Sequence, residues 1–414
     1  MVLMEEKIYI VIPTKNRADT LFYSIQTAIN QKYGNYEIIV SDNFSSKDTA
    51  DLIEKLNHPK IRYQRSDRPL AMLNSWEFAL SSIAEPGYVH VMGDDNGLLP
   101  GALQRVNNII KNTRTEIVHG DVVDYIWPDK LTGQCSLSIP LAKNVLSVNS
   151  RKSLKSAFDQ IIGFSRLPTI NISFVHTSVI DKARAYGAGR YFMASNPDVY
   201  SSFINAFCVD SFIYSNRPLI INGGSWHSNG NSAQIQRGKS PFIDDNLSDG
   251  YVYHSVFPSS TSYYFNVYEA LAMMCDYTGF RNFKMEFDAR KLVNKIVDEE
   301  YIRKNRFWLK SDIEFFAEKF GLLIKVPNIS NVVEEVDSDL VKPAFGFVSP
   351  TIFKITDYPG GISNVYDASL ISSRILNHDF EKSFPRDSVA WLRNQILKYV
   401  MGAKSLSSSA FDCH

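Results

Sequence analysis

The sequence has little cysteine and no surplus of charge. Its four cysteines, Cys135, Cys208, Cys275 and Cys413, are scattered, and no CxxC pair or His-rich companion accompanies them. That excludes a disulfide framework and a Cys-based zinc site, and it suits a reducing compartment. Lys+Arg and Asp+Glu stand at 44 each, so no global basic field supports a nucleic-acid partner. No apolar run approaches the ~20 residues that cross a bilayer. The opening "MVLMEEKIYIVIPTKNR" has no basic leader and no small-residue cleavage site, and its apolar stretch is split by "EEK". These absences predict a cytoplasmic protein. Four Asn-x-Ser matches ("NFS", "NIS" twice, "NLS") are then chance sequons.

What is present is ordinary in amount and suggestive in order. A chain of 414 residues, 44% hydrophobic and 21% charged, allows two or three globular domains at ~100–200 residues each. The aromatic share of 13% provides for a large core or for sugar-stacking surfaces. "KIYIVIPT" is a short β-branched run of the kind that is buried on both faces of a sheet. "RADTLFYSIQTAINQ" follows with apolar residues at helical spacing. "YEIIVSDN", "KIRYQR", "YVHVMGDD" and "TEIVHGDVVDYI" read as further strands, separated by the helix-like "SSKDTADLIEKLN", "AMLNSWEFALSSIA" and "PGALQRVNNIIKN". Alternating strands and helices predict an α/β fold, a Rossmann-like, mostly parallel sheet with helices on both faces. In such sheets ligands bind beyond the carboxyl ends of the strands. Three of those ends are polar here: "PTKNR", "SDNFSS" and "GDDN".

Beyond residue 130 the pattern blurs. "NPDVYSSFINAF" reads as a helix after Pro197, and "RPLIINGGSWHSNGNSAQIQRGKS" as a strand followed by a long Gly/Asn/Ser loop. After about Tyr251 the segments turn helix-like and amphipathic. A boundary near residue 250 is therefore expected, giving an α/β domain at 1–250 and a mainly helical accessory region at 251–414.

The tip "GDDN" sets two carboxylates, Asp94 and Asp95, side by side with no cation nearby in sequence. A solvated turn is one explanation. An EF-hand loop is excluded, because with Gly97 in sixth place the first position is Met92 and the twelfth Leu103. A divalent cation that bridges the carboxylates to a phosphate fits better, since Mg²⁺ takes one or two carboxylates and leaves room for diphosphate oxygens. Other phosphate or nucleophile devices fail: "GKS" at Gly238–Ser240 lacks its upstream glycine and strand, "GAGRYF" lacks a third glycine, and "GGSWHS" has His227 where G-x-S-x-G needs glycine.

Taken together, "IYIVIPTKNR", "EIIVSDNFSSKDT" and "YVHVMGDDNGLLPGAL" resemble the family 2 glycosyltransferases, which have a GT-A fold. The resemblance covers about the first 230 residues. It implies an inverting transfer from a nucleotide-diphospho-sugar to a saccharide or lipid-linked saccharide, as in bacterial surface-polysaccharide assembly. Pro13, Thr14, Asn16 and Arg17 match the family's first turn and would approach the nucleotide. Asp42 falls on the base-contacting aspartate, with Asn43 and Ser45 in the turn after it. The family's next aspartate falls on Lys47, and Asp48 is displaced by one. Gly93 takes the first D-x-D position and Asp95 the last, so Asp95 would be the metal ligand and Asp94 a contact to donor sugar or ribose. Asp198 in "NPDVYSSF" would be the catalytic base, with Asp210 and Asp181 in reserve; an aspartate there also suits a helix N-terminus. His227 would complete a Mn²⁺ or Mg²⁺ site. Arg237 and Lys239 would fold over the diphosphate, and Arg68 and Asn74 would approach the diphosphate or base. Trp76 reads as core. "SVAWLRNQILKYVMGAK" is compatible with peripheral membrane contact at the inner face of the cell membrane, and with a packed domain helix; a homo-oligomer is equally compatible. Two rivals stay open: a nucleotidyltransferase, disfavoured because "PTKNRADT" has no glycine, and a silent saccharide-binding scaffold.

Overall fold

The computed structural model describes residues 5–130, 132–226, 240–304, 306–327, 345–349, 351–356, 362–377 and 404–406. The N-terminal half alternates as the periodicity predicts. Strand β1 (Ile8–Thr14) leads into helix α1 (Ala18–Ile29), β2 (Tyr36–Asp42), α2 (Lys47–Leu56), β3 (Ile61–Arg65), α3 (Met72–Leu80), β4 (Tyr88–Val91), the short β5 (Gly97–Leu98), α4 (Ala102–Thr113) and β6 (Ile117–Ile126). The blurred region resolves into β7 (Ser136–Pro140), β8 (Val145–Asn149), α5 (Ser150–Phe158), β9 (Phe174–His176), α6 (Thr177–Tyr186), α7 (Pro197–Cys208) and β10 (Ser211–Gly224). Then come α8 (Pro241–Ser248), α9 (Tyr263–Thr278), α10 (Phe283–Glu286), α11 (Ala289–Ile296), α12 (Lys310–Lys319), β11 (Phe345–Ser349), β12 (Ile352–Thr356), α13 (Val365–Asn377) and β13 (Lys404–Leu406).

The parallel strands stand in the order β3-β2-β1-β4. β9 is inserted antiparallel between β4 and β6, which leaves β6 running with the first four. β10 lies parallel to β6. Strand β1 shows why the sheet is sandwiched. Ile8, Ile10 and Ile12 belong to one core cluster, with α1 and α4, while Tyr9 and Val11 belong to the other, with α3 and α7. Successive side chains alternate faces, so a run apolar at every position needs cover on both. β1 and β2 are in register through Thr14 opposite Asp42, and Asn43 N–H continues the ladder to Thr14 O at 2.8 Å. Their polar tips therefore finish together.

Pro100 stands just ahead of α4; Gly101 follows it at φ 75°, a left-handed conformation that glycine adopts without a Cβ clash, and the helix begins at Ala102. Packing runs across residue 250 without a break. α9 lies against α7, and one core cluster extends from Tyr9 to Val326. The region beyond is also not all helical: β11 and β12 add to the main sheet beside β7, and α13 lies against α1. The amphipathic stretch 388–404 lies outside the described residues, apart from Lys404 in β13.

Candidate functional site

A cavity of about 540 Å³ opens beyond the carboxyl ends of β1, β2 and β4. Pro13, Thr14, Arg17, Asn43, Asp94, Asp95 and Asp198 all line it. This is where strand order reverses about β1, the place where an open parallel sheet leaves a crevice. Trp76 lines it too. It is otherwise the core residue expected, 9% exposed and edge-on to Phe192 at 5.8 Å.

The floor of the cavity is the "GDDN" turn. Asp94 is buried, and its carboxylate accepts from Thr14 Oγ1 at 2.8 Å and Arg17 Nη1 at 3.0 Å. Burial and the neighbouring Asp95 push the Asp94 carboxyl up, with Arg17 and Thr14 opposing. Burial works against the Arg17 charge, but Asp94 and Asp95 outweigh it and raise the guanidinium's pKa. At 3.0 Å the two side chains hold each other, so a positive partner for Asp94 comes from the chain itself. Asp95 is held from the other side: its Oδ2 accepts from Ser225 Oγ at 2.6 Å and Ser225 N at 3.3 Å, and Trp127 Nε1 donates to its carbonyl at 3.0 Å. Gly223 N donates to Asn96 Oδ1 at 2.8 Å. Two glycines allow this packing. A Cβ on Gly223 would sit 1.8 Å from the Asp95 carbonyl oxygen, and one on Gly93 would meet Asn96 Nδ2 at 3.1 Å. A side chain at Gly93 would therefore crowd the Asn96 amide, which would have to shift.

The other residues singled out in the sequence divide into three groups. Asp42, Asn16 and Ser45 form the frame behind the cavity. Asp42 is fully buried; its Oδ1 accepts from Ser45 N at 2.8 Å, and its Oδ2 accepts from Tyr63 Oη at 2.5 Å and Arg65 Nη1 at 3.2 Å. Asn16, at φ 56°, donates through its backbone to Ser45 Oγ at 2.8 Å and accepts from Ser46 N at 2.7 Å, which ties the first loop to the second. Asn43 makes a two-way amide bond with Leu70, 2.8 Å in each direction.

Arg68 and Asn74 form the second group. Both are bonded to Asp249, just past α8, at 2.6 Å each, and Ala71 N donates to the same carboxylate at 2.9 Å. These donors hold the Asp249 carboxyl below its ordinary value against desolvation. Arg68 lines a small neighbouring cavity of about 130 Å³ with Lys15 and Asp249, and neither Arg68 nor Asn74 lines the main one. Sequence reasoning missed Asp249 because it lies about 180 positions away. It also missed Lys15, Ser225 and the face of α8 with Phe242 and Asp245; the one available signal was the Gly223–Gly224 pair. His227, Arg237 and Lys239, the third group, lie outside the described residues.

Asp198 stands in the first turn of α7, after Pro197 at the first helical position. It lines the cavity, and burial raises its pKa against the lowering by its own and Val199's backbone N–H. Its carbonyl oxygen accepts from Ser201 Oγ at 2.6 Å and Thr169 Oγ1 at 2.8 Å, which fixes the start of the helix. The reserves are elsewhere: Asp181 is exposed and paired with Arg184 at 3.5 Å, and Asp210 is exposed ahead of β10.

Among the described residues no three His, Cys, Asp or Glu side chains converge as a metal cluster. One carboxylate, Asp95, at the cavity wall still fits Mg²⁺ or Mn²⁺ when substrate phosphates complete the shell.

Comparison with known proteins adds a family. An Escherichia coli protein, UDP-Glc:alpha-D-GlcNAc-diphosphoundecaprenol beta-1,3-glucosyltransferase WfaP, is 38% identical over 56 residues, 14% of this chain and 22% of that protein. The chain therefore spans about a fifth of that relative's length. Among solved structures, S. aureus TarS 1-349 in complex with UDP-GlcNAc is 12% identical at a TM-score of 0.41, covering 77% of this chain and 93% of that one. Mannosyltransferase PcManGT from Pyrobaculum calidifontis, in complex with GDP-Man and Mn²⁺, is 11% identical at 0.39, covering 77% and 87%. Residues 9–168, which run from β1 past the "GDDN" turn, match the model of glycosyl transferase family 2.

Proposed function

We propose that this chain is an inverting, metal-dependent glycosyltransferase. It moves a sugar from a nucleotide-diphospho-sugar to a hydroxyl of a saccharide or lipid-linked saccharide, in surface-polysaccharide assembly. The observation that carries this reading is the convergence of Thr14, Arg17, Asp94, Asp95 and Asp198 on one cavity at the sheet's switch point. The relative named for transfer from UDP-Glc to GlcNAc-diphosphoundecaprenol supports the acceptor class.

The nucleotide lies over Pro13 and Asn43, with Asp42 at the base end. Asp94, oriented by Arg17 and Thr14, contacts the donor sugar. Asp198 accepts the proton of the acceptor hydroxyl while that oxygen attacks the anomeric carbon and the nucleoside diphosphate leaves. A carboxylate with its pKa raised by burial is the stronger base for this step. A divalent ion at Asp95, with His227 and the phosphates as further ligands, would neutralise charge on the leaving group. Arg237 and Lys239 close over the diphosphate. Peripheral attachment at the inner membrane face follows if the acceptor is lipid-linked; among the described residues no helix is long and apolar enough to cross a membrane.

The test is release of nucleoside diphosphate from common donors with Mn²⁺, beside calorimetry with UDP, dTDP and GDP. Turnover of one donor, lost on chelation, is expected. No release and no nucleotide binding would leave a silent scaffold as the reading.

A further inference from the structure

One wall of the cavity has no task in donor binding. β6 and β10 run parallel there, with Asp124 directly opposite Asn222. Both side chains are exposed, and Asn222 Nδ2 donates to Asp124 Oδ1 at 3.3 Å. Ile126, two residues on and on the same face, is 50% exposed, whereas Val123 and Tyr125 on the other face are fully buried. Asn222 and Ile126 line the same cavity as Asp198. A half-exposed isoleucine beside a carboxylate–amide pair contributes little to packing. Together they combine apolar surface with directed acceptors at the mouth of a cleft.

That combination matches one ligand class. A pyranose presents an apolar C–H face and a rim of hydroxyls that each donate and accept. Asn222 Oδ1 and Asp124 Oδ2 are acceptors for such hydroxyls, and Ile126 offers apolar cover. The Asp124 carboxylate repels phosphate, so a sugar ring suits this strip and a diphosphate does not. We propose that Asp124, Asn222 and Ile126, beside Asp198 on the cavity wall, bind the sugar ring that receives the transferred residue. This rests on the glycosyltransferase reading and adds its acceptor subsite.

The test uses the full chain with Mn²⁺ and a saturating nucleoside diphosphate. A panel of octyl glycosides of common hexoses and N-acetylhexosamines is read by saturation-transfer difference NMR. At least one glycoside is expected to give a signal. Asn222→Ala and Asp124→Ala should weaken its binding about tenfold each, the scale of one or two lost hydrogen bonds. Asp124→Asn, which keeps the bond partner of Asn222, should weaken it less. Calorimetric nucleotide affinity should stay within about twofold of wild type in all three. Unchanged glycoside binding in both alanine variants overturns the subsite, as does a panel without signal while the nucleotide binds. If no nucleoside diphosphate binds, the glycosyltransferase reading falls, and the subsite falls with it.

Discussion

Arg17 Nη1 meets Asp94 Oδ1 at 3.0 Å on the cavity floor, with Asp94 almost wholly buried and Arg17 largely so. Removing one partner of such a pair leaves an uncompensated buried charge. Arg17→Ala is therefore expected to destabilise the fold by about 3 kcal/mol, the low end for a buried pair because the guanidinium keeps some water contact. Arg17→Ala/Asp94→Asn should recover part of that loss in chemical denaturation, since the orphaned charge is gone, while donor turnover stays low.

Asp198→Asn removes the proposed base and keeps the shape of the helix start. Transfer should fall at least about 100-fold, with nucleotide affinity unchanged. In the wild type the rate should drop as pH falls through an apparent pKa above the ordinary aspartate value of about 3.9, because burial favours the protonated carboxyl. A pH–rate profile flat down to that ordinary value would remove the assignment.

Glu269 gives a stability signature away from the cavity. It is 2% exposed, accepts from Tyr251 Oη, and burial raises its carboxyl to about 7 against the hydrogen bonds that lower it. The folded state then binds a proton that the unfolded chain has released. Stability is full below the unfolded value of about 4.3 and is lost as pH rises through about 7. The loss is on the order of 3 kcal/mol. Denaturation midpoints at pH 5 and pH 8 measure it, and Glu269→Gln should flatten the difference.

Gly223→Ala places a Cβ 1.8 Å from the Asp95 carbonyl oxygen, where a backbone must move. A loss of about 3 kcal/mol is expected, together with weaker nucleotide binding, because the displaced atoms carry the "GDDN" turn. Gly133→Ala is a matched control: it has no atom within 4 Å of its added Cβ, although its φ of 69° adds some strain. It should change stability much less and leave nucleotide affinity alone.

The N-terminal sheet was legible in the chain. "KIYIVIPT" and "YEIIVSDN" are apolar at consecutive positions, and only a strand covered on both faces satisfies them. The polar tips follow from the same pattern, so Thr14, Asn43, Asp94 and Asp95 are gathered by the chain's pattern alone. Asp198 was found through family resemblance, and the cavity contains it. Other parts left no local trace. The antiparallel direction of β9 between β4 and β6 is set by its pairing with both neighbours. Arg68 and Asn74 look like free polar groups at a helix start; Asp249 claims them only once α8 has folded across α3.

In the N-terminal half the sequence alone determined which segments form strands and helices and which carboxylates stand at strand ends, because periodicity and turn residues act locally. Tertiary structure decided what those carboxylates meet. Asp94 and Arg17 are 77 positions apart, and Asp95 and Ser225 are 130 apart. Such contacts form when packing of β1, β4 and β10 excludes water and leaves each buried charge or hydroxyl only the partners the sheet brings to it. The same packing separates Asp94 from Asp95, giving one to an internal arginine and the other to the serine beyond β10.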